Sequence, residues 1–290
     1  MKRVLSLLVL VALLCTALVG CKEPEKTYSL AVVVDSSVSA SNKVSNVGLA
    51  LVIDADNRIV AARFDSSETT PKLNEEGAFV AVASVDSKVE QGESYSMPAG
   101  SWASQAKAFE NAIVGKTADE VANLDASAYA GCTMKATTPI FKSLVAKAFA
   151  YTNKVTFTTA ESFTTGIAMD MTVGTNGKAG CDIAGVVVAG DKVVACAIDS
   201  VEQAFTVEEG AVTASTLKVS KNEQGESYSM PAGTWVKQAQ AFANSAVGKT
   251  VADLANLETV SDALEAAGCT MKKTTAGYKT TIISAAGYAR

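Results

Sequence analysis

Two hydrophobic rhythms alternate along this chain. Runs rich in valine, leucine and alanine at Tyr28–Val34 and Val47–Ile53 pass through Asp54-Ala-Asp-Asn57 into Arg58–Asp65. Later, Ile183–Val188 turns at Gly190-Asp191 into Lys192–Asp199. Turn residues between apolar, partly β-branched runs predict β-hairpins. The Asp-x-Asp pair at Asp54 and Asp56 has no counterpart in the second hairpin, so a turn explains it better than a calcium loop. Elsewhere the apolar positions recur at intervals of three and four. Trp102, Ala106, Phe109 and Ile113 form one such face, and Trp235, Ala239, Phe242 and Ala246 another. That spacing predicts amphipathic helices with their tryptophans in a core. Ser101 and Thr234 are placed as caps, and Gly115 and Gly248 as stops. Thr117-Ala-Asp-Glu120 reads as a capping box, with Thr250-Val-Ala-Asp253 as its partner. A last helix is expected from Thr138-Pro139, proline suiting a first turn. It would bury Ile140, Phe141, Leu144, Val145 and Phe149, and the second pattern would use Tyr278, Ile282 and Ile283.

The patterns come twice because the text does. Gln91 to Gly100, QGESYSMPAG, recurs letter for letter at Gln224 to Gly233, and Ser87–Leu124 matches Ser220–Leu257 at 26 of 38 positions. After a four-residue insertion the match resumes as Ala130-Gly-Cys-Thr-Met-Lys135 over Ala267-Gly-Cys-Thr-Met-Lys272. A period this long marks a duplicated domain, not a solenoid. The expectation is therefore an α+β protein of two tandem homologous domains, each a small antiparallel sheet followed by about three helices. The boundaries fall at 28–152 and 153–290. The repeated Tyr95/Met97 and Tyr228/Met230 turns precede a helix and suit either a tight local structure or a contact surface.

The amino terminus changes the setting. Lys2 and Arg3 precede an apolar run from Val4 to Val19, too short to span a bilayer comfortably. Leu18-Val19-Gly20-Cys21 is similar to the lipobox of bacterial lipoproteins. The resemblance implies cleavage after residue 20, lipidation of Cys21 and attachment to membrane lipid on the outer side of a bacterial membrane. Residues 21–27 would form a polar tether. The 270-residue mature chain would keep 23 basic against 30 acidic side chains, a net charge of −7. With no basic run, nucleic acid is not an expected partner.

Histidine is absent. That removes His-dependent triads and zinc sites and weakens any hydrolase reading. Beyond Cys15 and Cys21, Cys132 and Cys269 are repeat-equivalent, while Cys181 and Cys196 belong to the second copy alone. Those two flank the Gly190 turn and are candidates for a diagonal disulfide. No cysteine spacing suggests a metal cluster.

Gly131-Cys132-Thr133-Met134-Lys135 and Gly268-Cys269-Thr270-Met271-Lys272 are the best candidate sites. Glycine permits a sharp turn. A hydroxyl, a lysine and amides at a coming helix start would suit a phosphate, and a turn around a buried cysteine would look the same. At these residues the chain resembles the FMN-binding domain family, whose motif is roughly Asp-x-x-Ser/Thr-Gly-Ala-Thr. Cys132 and Cys269 take the place of the motif's alanine, and Ala130 and Ala267 that of its hydroxyl residue. The resemblance implies FMN carried on Thr133 and Thr270, with a flavin transferase and a membrane redox partner. A wider stretch, Glu-x-Gly-x-x-Tyr-x-Met followed by Trp and Val-Gly-Lys-Thr, is similar to a repeat of surface lipoproteins of anaerobic bacteria. Two readings lead, ahead of thiol redox through Cys132 and Cys269, which would need exposed thiols of lowered pKa and has no resolving cysteine nearby. One is an extracytoplasmic electron carrier with two flavins. The other is a non-catalytic envelope lipoprotein with twin binding domains.

Overall fold

The computed structural model describes residues 24–271 and 274–289. The expected signal (1–20), the Cys21 anchor and Lys272 lie outside them. Three strands open the fold: β1 (Lys26–Val38), β2 (Val44–Asp54) and β3 (Ile59–Thr69). They form an antiparallel meander, Tyr28 opposite Asp54 and Ile53 opposite Ile59. Asn57 makes the turn in the left-handed region at φ 56°. Asp54 Oδ1 accepts the amides of Asp56 at 2.9 Å and Arg58 at 2.8 Å, so this carboxylate is spent on the turn.

A short strand, β4 (Val82–Val85), leads to helix α1 (Lys88–Gln91) and the small hairpin β5 (Ser96–Met97) and β6 (Gly100–Ser101). Helices α2 (Trp102–Ile113), α3 (Ala118–Ala122) and α4 (Thr138–Ala150) complete the first half. Ser101 Oγ caps α2 through the Ser104 amide at 3.2 Å. Thr117 and Glu120 make the expected capping box at α3.

The element order then recurs. Strands β7 (Val155–Thr159), β8 (Phe163–Val173), β9 (Lys178–Ala189), β10 (Lys192–Glu208) and β11 (Ala211–Ala214) precede helix α5 (Lys221–Gln224). The hairpin β12 (Ser229–Met230) and β13 (Gly233–Thr234) follows, then α6 (Trp235–Asn244), α7 (Asp262–Ala266) and α8 (Thr275–Gly287). The halves differ where Thr250 stands for Thr117. Asp253 is one methylene shorter than Glu120, and its carboxylate accepts the Thr250 hydroxyl at 2.7 Å. A 3-10 turn over Ala252–Asn256 results in place of an α-helix. The longer segment that follows supplies α7, where the first half has a 3-10 turn at Ala126–Tyr129.

The α+β architecture has four layers. One sheet runs β3-β2-β1-β7 and the other β11-β10-β9-β8-β4, so each half lends a strand to its neighbour's sheet. Successive residues point to opposite faces of a strand. On β1 and β2, Ala31, Val33, Leu49 and Leu51 meet the helices of the first half. The alternate residues Leu30, Val32, Ala50 and Val52 meet Ile167, Ile183, Val187 and Ala195 of the second sheet. On that sheet's other face, Ala184, Val186 and Ile198 pack under Trp235, Phe242 and Tyr278. Among the described residues, no helix is long and apolar enough to cross a membrane.

This layering corrects the disulfide expectation. Cys181 and Cys196 are free and buried. Cys181 points between the sheets and Cys196 towards the helices, so the β-sheet itself separates their sulfurs. They are also on different rungs, Cys181 opposite Val201 and Cys196 opposite Val186.

The sheets pack tightly at Gly185, where a Cβ would sit 2.5 Å from Val32 Cγ2 and 2.9 Å from Ala50 Cβ. Gly185→Val should therefore lower unfolding stability by about 1–3 kcal/mol, the cost of overpacking a filled core. Denaturant titration of the variant against the parent checks this; an unchanged midpoint would mean that the sheets do not meet there.

Candidate functional site

The Gly-Cys-Thr-Met turns lie at the edge of the helical layers. Cys132 and Met134 point into the first core and Cys269 and Met271 into the second, with the threonine between them turned outward. A glutamine on the tryptophan helix holds each turn. Gln105 Oε1 accepts both the Thr133 amide and the Thr133 hydroxyl at 2.8 Å. Gln238 Oε1 does the same for Thr270, at 2.9 and 2.8 Å. Both glutamines are wholly buried. Gly131 is needed for space, since its Cβ would come within 2.9 Å of Ala108 Cβ. Gly268 is needed for conformation, at φ 98°.

These contacts do not fit a flavin phosphate. Its cradle would need free amides at the helix start. In the first turn the Thr137 and Thr138 amides both donate to Met134 O, at 3.0 and 2.9 Å, and Pro139 has no N–H. In the second, the Thr274 and Thr275 amides both donate to Met271 O at 3.3 Å. The Thr133 and Thr270 hydroxyls are committed to glutamine. Lys135 is exposed beside the first turn. The thiols of Cys132 and Cys269 are pushed up by burial, opposite to what a nucleophilic thiolate needs. Among the described residues no cluster of Cys, Asp and Glu is placed to hold a metal ion.

The repeated QGESYSMPAG is a built structure in both copies. Ser87 caps α1 and Ser220 caps α5 through complete capping boxes, and Gly92 and Gly225 turn the chain at φ 52° and 53°. The Trp102 amide donates to Tyr95 O at 3.2 Å, and the Trp235 amide to Tyr228 O at 3.1 Å. Lys88 Nζ lies 4.8 Å from the Tyr95 ring and 5.9 Å from the Trp102 ring; Lys221 Nζ lies 5.5 Å from Tyr228 and 5.6 Å from Trp235. Tyr95 and Tyr228 are half-buried by this stacking, and both tryptophans are core residues.

A second paired feature escaped the sequence reading. Asp65 and Asp199, at the same place in the two halves, are wholly buried. Asp65 Oδ1 accepts the Ser66 and Val89 amides, and Asp199 Oδ1 the Ser200 and Asn222 amides, which ties α1 and α5 to their sheets. Burial pushes both carboxyls up to about 7, against the lowering effect of these amides and of the Ser87 and Ser220 hydroxyls.

Two clefts are also equivalent. The first, about 410 Å³, is lined by Phe64, Val89 and Ala103, and is completed by Tyr288 just after α8. The second, about 420 Å³, is lined by Ile198, Asn222 and Val236, and is completed by Tyr151 just after α4. Each cleft thus combines one half's β-strand and helices with a tyrosine from the end of the other half. In the first, the buried Glu110 binds Arg63 at 3.2 Å, Lys107 at 3.5 Å and the Phe64 amide at 2.8 Å. Burial raises its pKa, and the Arg63 guanidinium opposes the rise. Neither Gly-Cys-Thr-Met turn lines either cleft.

No protein-family model, curated protein or solved structure matches this chain.

The two aspartates carry a pH prediction. A carboxyl whose pKa rises on folding contributes stability fully below its unfolded value, about 3.9, and loses it as pH climbs through the folded value. Stability should therefore fall between pH 4 and pH 8. In Asp65→Asn/Asp199→Asn the fall should be smaller by at least about 1.4 kcal/mol per carboxyl, the equivalent of a tenfold change in proton binding. Chemical denaturation at stepped pH reads this directly, and parallel curves for parent and variant would refute it.

Proposed function

We propose that this chain is a non-catalytic envelope lipoprotein of two homologous repeats. It is exported, anchored to the outer side of a bacterial membrane through Cys21, and presents paired binding clefts. The observation that carries the reading is the pair of clefts of about 410 and 420 Å³ at equivalent places, each closed by a tyrosine from the opposite half. Volumes in this range are typical of sites for small ligands, roughly 300–1,000 Å³. Composition supports the same conclusion, because a chain without histidine lacks the usual acid–base group near neutral pH. The repeated Tyr/Met turns serve the clefts indirectly, by launching the helices whose first turns form one wall.

A flavin carrier is the less supported reading, because the threonine hydroxyls and the helix-start amides are already committed within each turn. The purified protein, coexpressed with a flavin transferase, should be colourless and carry no FMN mass. A thermal-shift screen of envelope-derived peptides and glycans should find ligands whose stabilisation is lost on blocking a cleft, with Ala103→Trp in the first or Val236→Trp in the second. A yellow protein two FMN masses heavier, or ligand responses untouched by both blocks, would overturn the proposal.

A further inference from the structure

The two clefts have the same frame and different chemistry. Where the first carries Arg63, Lys107 and Glu110, the matching positions of the second half are Ala197 and Gln240, which line the second cleft, and Ala243, which is buried in the core. The ion cluster of the first cleft is thus lost, with Gln240 in place of Lys107, and Asn222 stands where the first cleft has Val89. Asn153, Asn222, Gln240 and Asn244 all line the second cleft, and no carboxylate does. Each carboxamide offers both donors and an acceptor in one plane.

These amides are held and only partly used. Asn222 Nδ2 donates to Ile198 O at 3.1 Å. Gln240 Nε2 donates to Asn244 Oδ1 at 2.7 Å and to Cys196 O at 3.4 Å. The Gln240 carbonyl and the Asn244 amide group keep their capacity for a ligand. Tyr151, Val155 and Val236 supply an apolar wall beside them.

Two cations flank the amides. Lys154 Nζ donates to the Phe149 and Tyr151 carbonyls at the end of α4, which fixes it at the cleft and leaves one of its three donors over. Lys237 is mostly exposed, and its pair with Glu226 at 3.4 Å is open to solvent, so a bound anion can compete for it.

We propose that the second cleft binds a pyranose sugar bearing a carboxylate, a uronic acid residue. The inference rests on the binding reading above and names a ligand class for one of its two sites. A ring hydroxyl both donates and accepts, which matches the free carbonyl of Gln240 and the free amide of Asn244. The apolar C–H face of the ring matches the tyrosine and valine wall. The carboxylate matches Lys237 and Lys154. The first cleft, where Arg63 and Lys107 share the buried Glu110 and no carboxamide lines the wall, offers no such set.

Isothermal titration of the purified protein with D-glucuronate, D-glucose and acetate tests this. Glucuronate should bind at one site, and glucose and acetate at least about tenfold more weakly, the scale of one charge-assisted hydrogen bond. Lys237→Gln should weaken glucuronate by a similar factor while leaving the melting temperature unchanged, because that side chain is exposed. Val236→Trp should abolish binding, and Ala103→Trp in the first cleft should not. Absence of glucuronate binding, equal binding of glucose, or binding indifferent to Val236→Trp would overturn the proposal. A peptide from the ligand screen displaced by Val236→Trp would refute the sugar and keep the binding reading. Ligands indifferent to both blocked clefts would remove both.

Discussion

Everything in this molecule hangs on the burial of two sheets against each other. Each sheet is covered by helices on its outer face, so its strands must be apolar on both sides. The inner faces meet through small and branched residues, Val32 and Ala50 from one sheet and Ile183 and Val187 from the other. Gly185 permits the packing by having no side chain where Val32 and Ala50 press against it. Strand β7 joins the first sheet and β4 the second, so the ladder hydrogen bonds also tie the halves together. Lys147 adds an ionic link by reaching both Asp35 and Glu223. The clefts follow from this arrangement. They exist because the end of each half lies against the first helices of the other.

Much of this was legible in the residues. The hairpins, the caps at Ser101 and Thr234, the capping box at Thr117 and the buried tryptophans all follow from local rules. Local rules suffice where an element is decided by its own side chains. The sheet-on-sheet layer was written less plainly. Runs such as Leu30-Ala-Val-Val-Val34 lack the polar alternation of a half-exposed strand, which is the sign of burial on both faces. Nothing in a single run says what covers the second face, because that partner lies more than a hundred residues away. The disulfide expectation failed for the same reason. Spacing about a turn does not reveal that two cysteines point to opposite sides of a β-sheet.

The candidate sites divide in a similar way. Gly-Cys-Thr-Met-Lys is the common kernel of the two copies, and in the structure packing explains it. Gln105 and Gln238 are the missing partners. Each is a polar residue on the buried face of an amphipathic helix, retained in both copies, and that was the available signal. Asp65 and Asp199 carried a similar one, as acids inside strands β3 and β10 that close the apolar runs Arg58–Asp65 and Lys192–Asp199. The clefts left no comparable trace, because each is assembled from three segments distant in sequence. Their divergence is informative once they are superposed. The first keeps two cations gathered on one buried carboxylate, and the second has amides with capacity to spare.

The central claim is that the halves are one cooperative body joined by the inter-sheet core. Differential scanning calorimetry tests it most directly. The account predicts one transition for the whole chain, with the calorimetric enthalpy equal to the van't Hoff enthalpy. Two separable transitions, or a calorimetric enthalpy about twice the van't Hoff value, would mean that each half folds alone and that the shared core does not hold the molecule together.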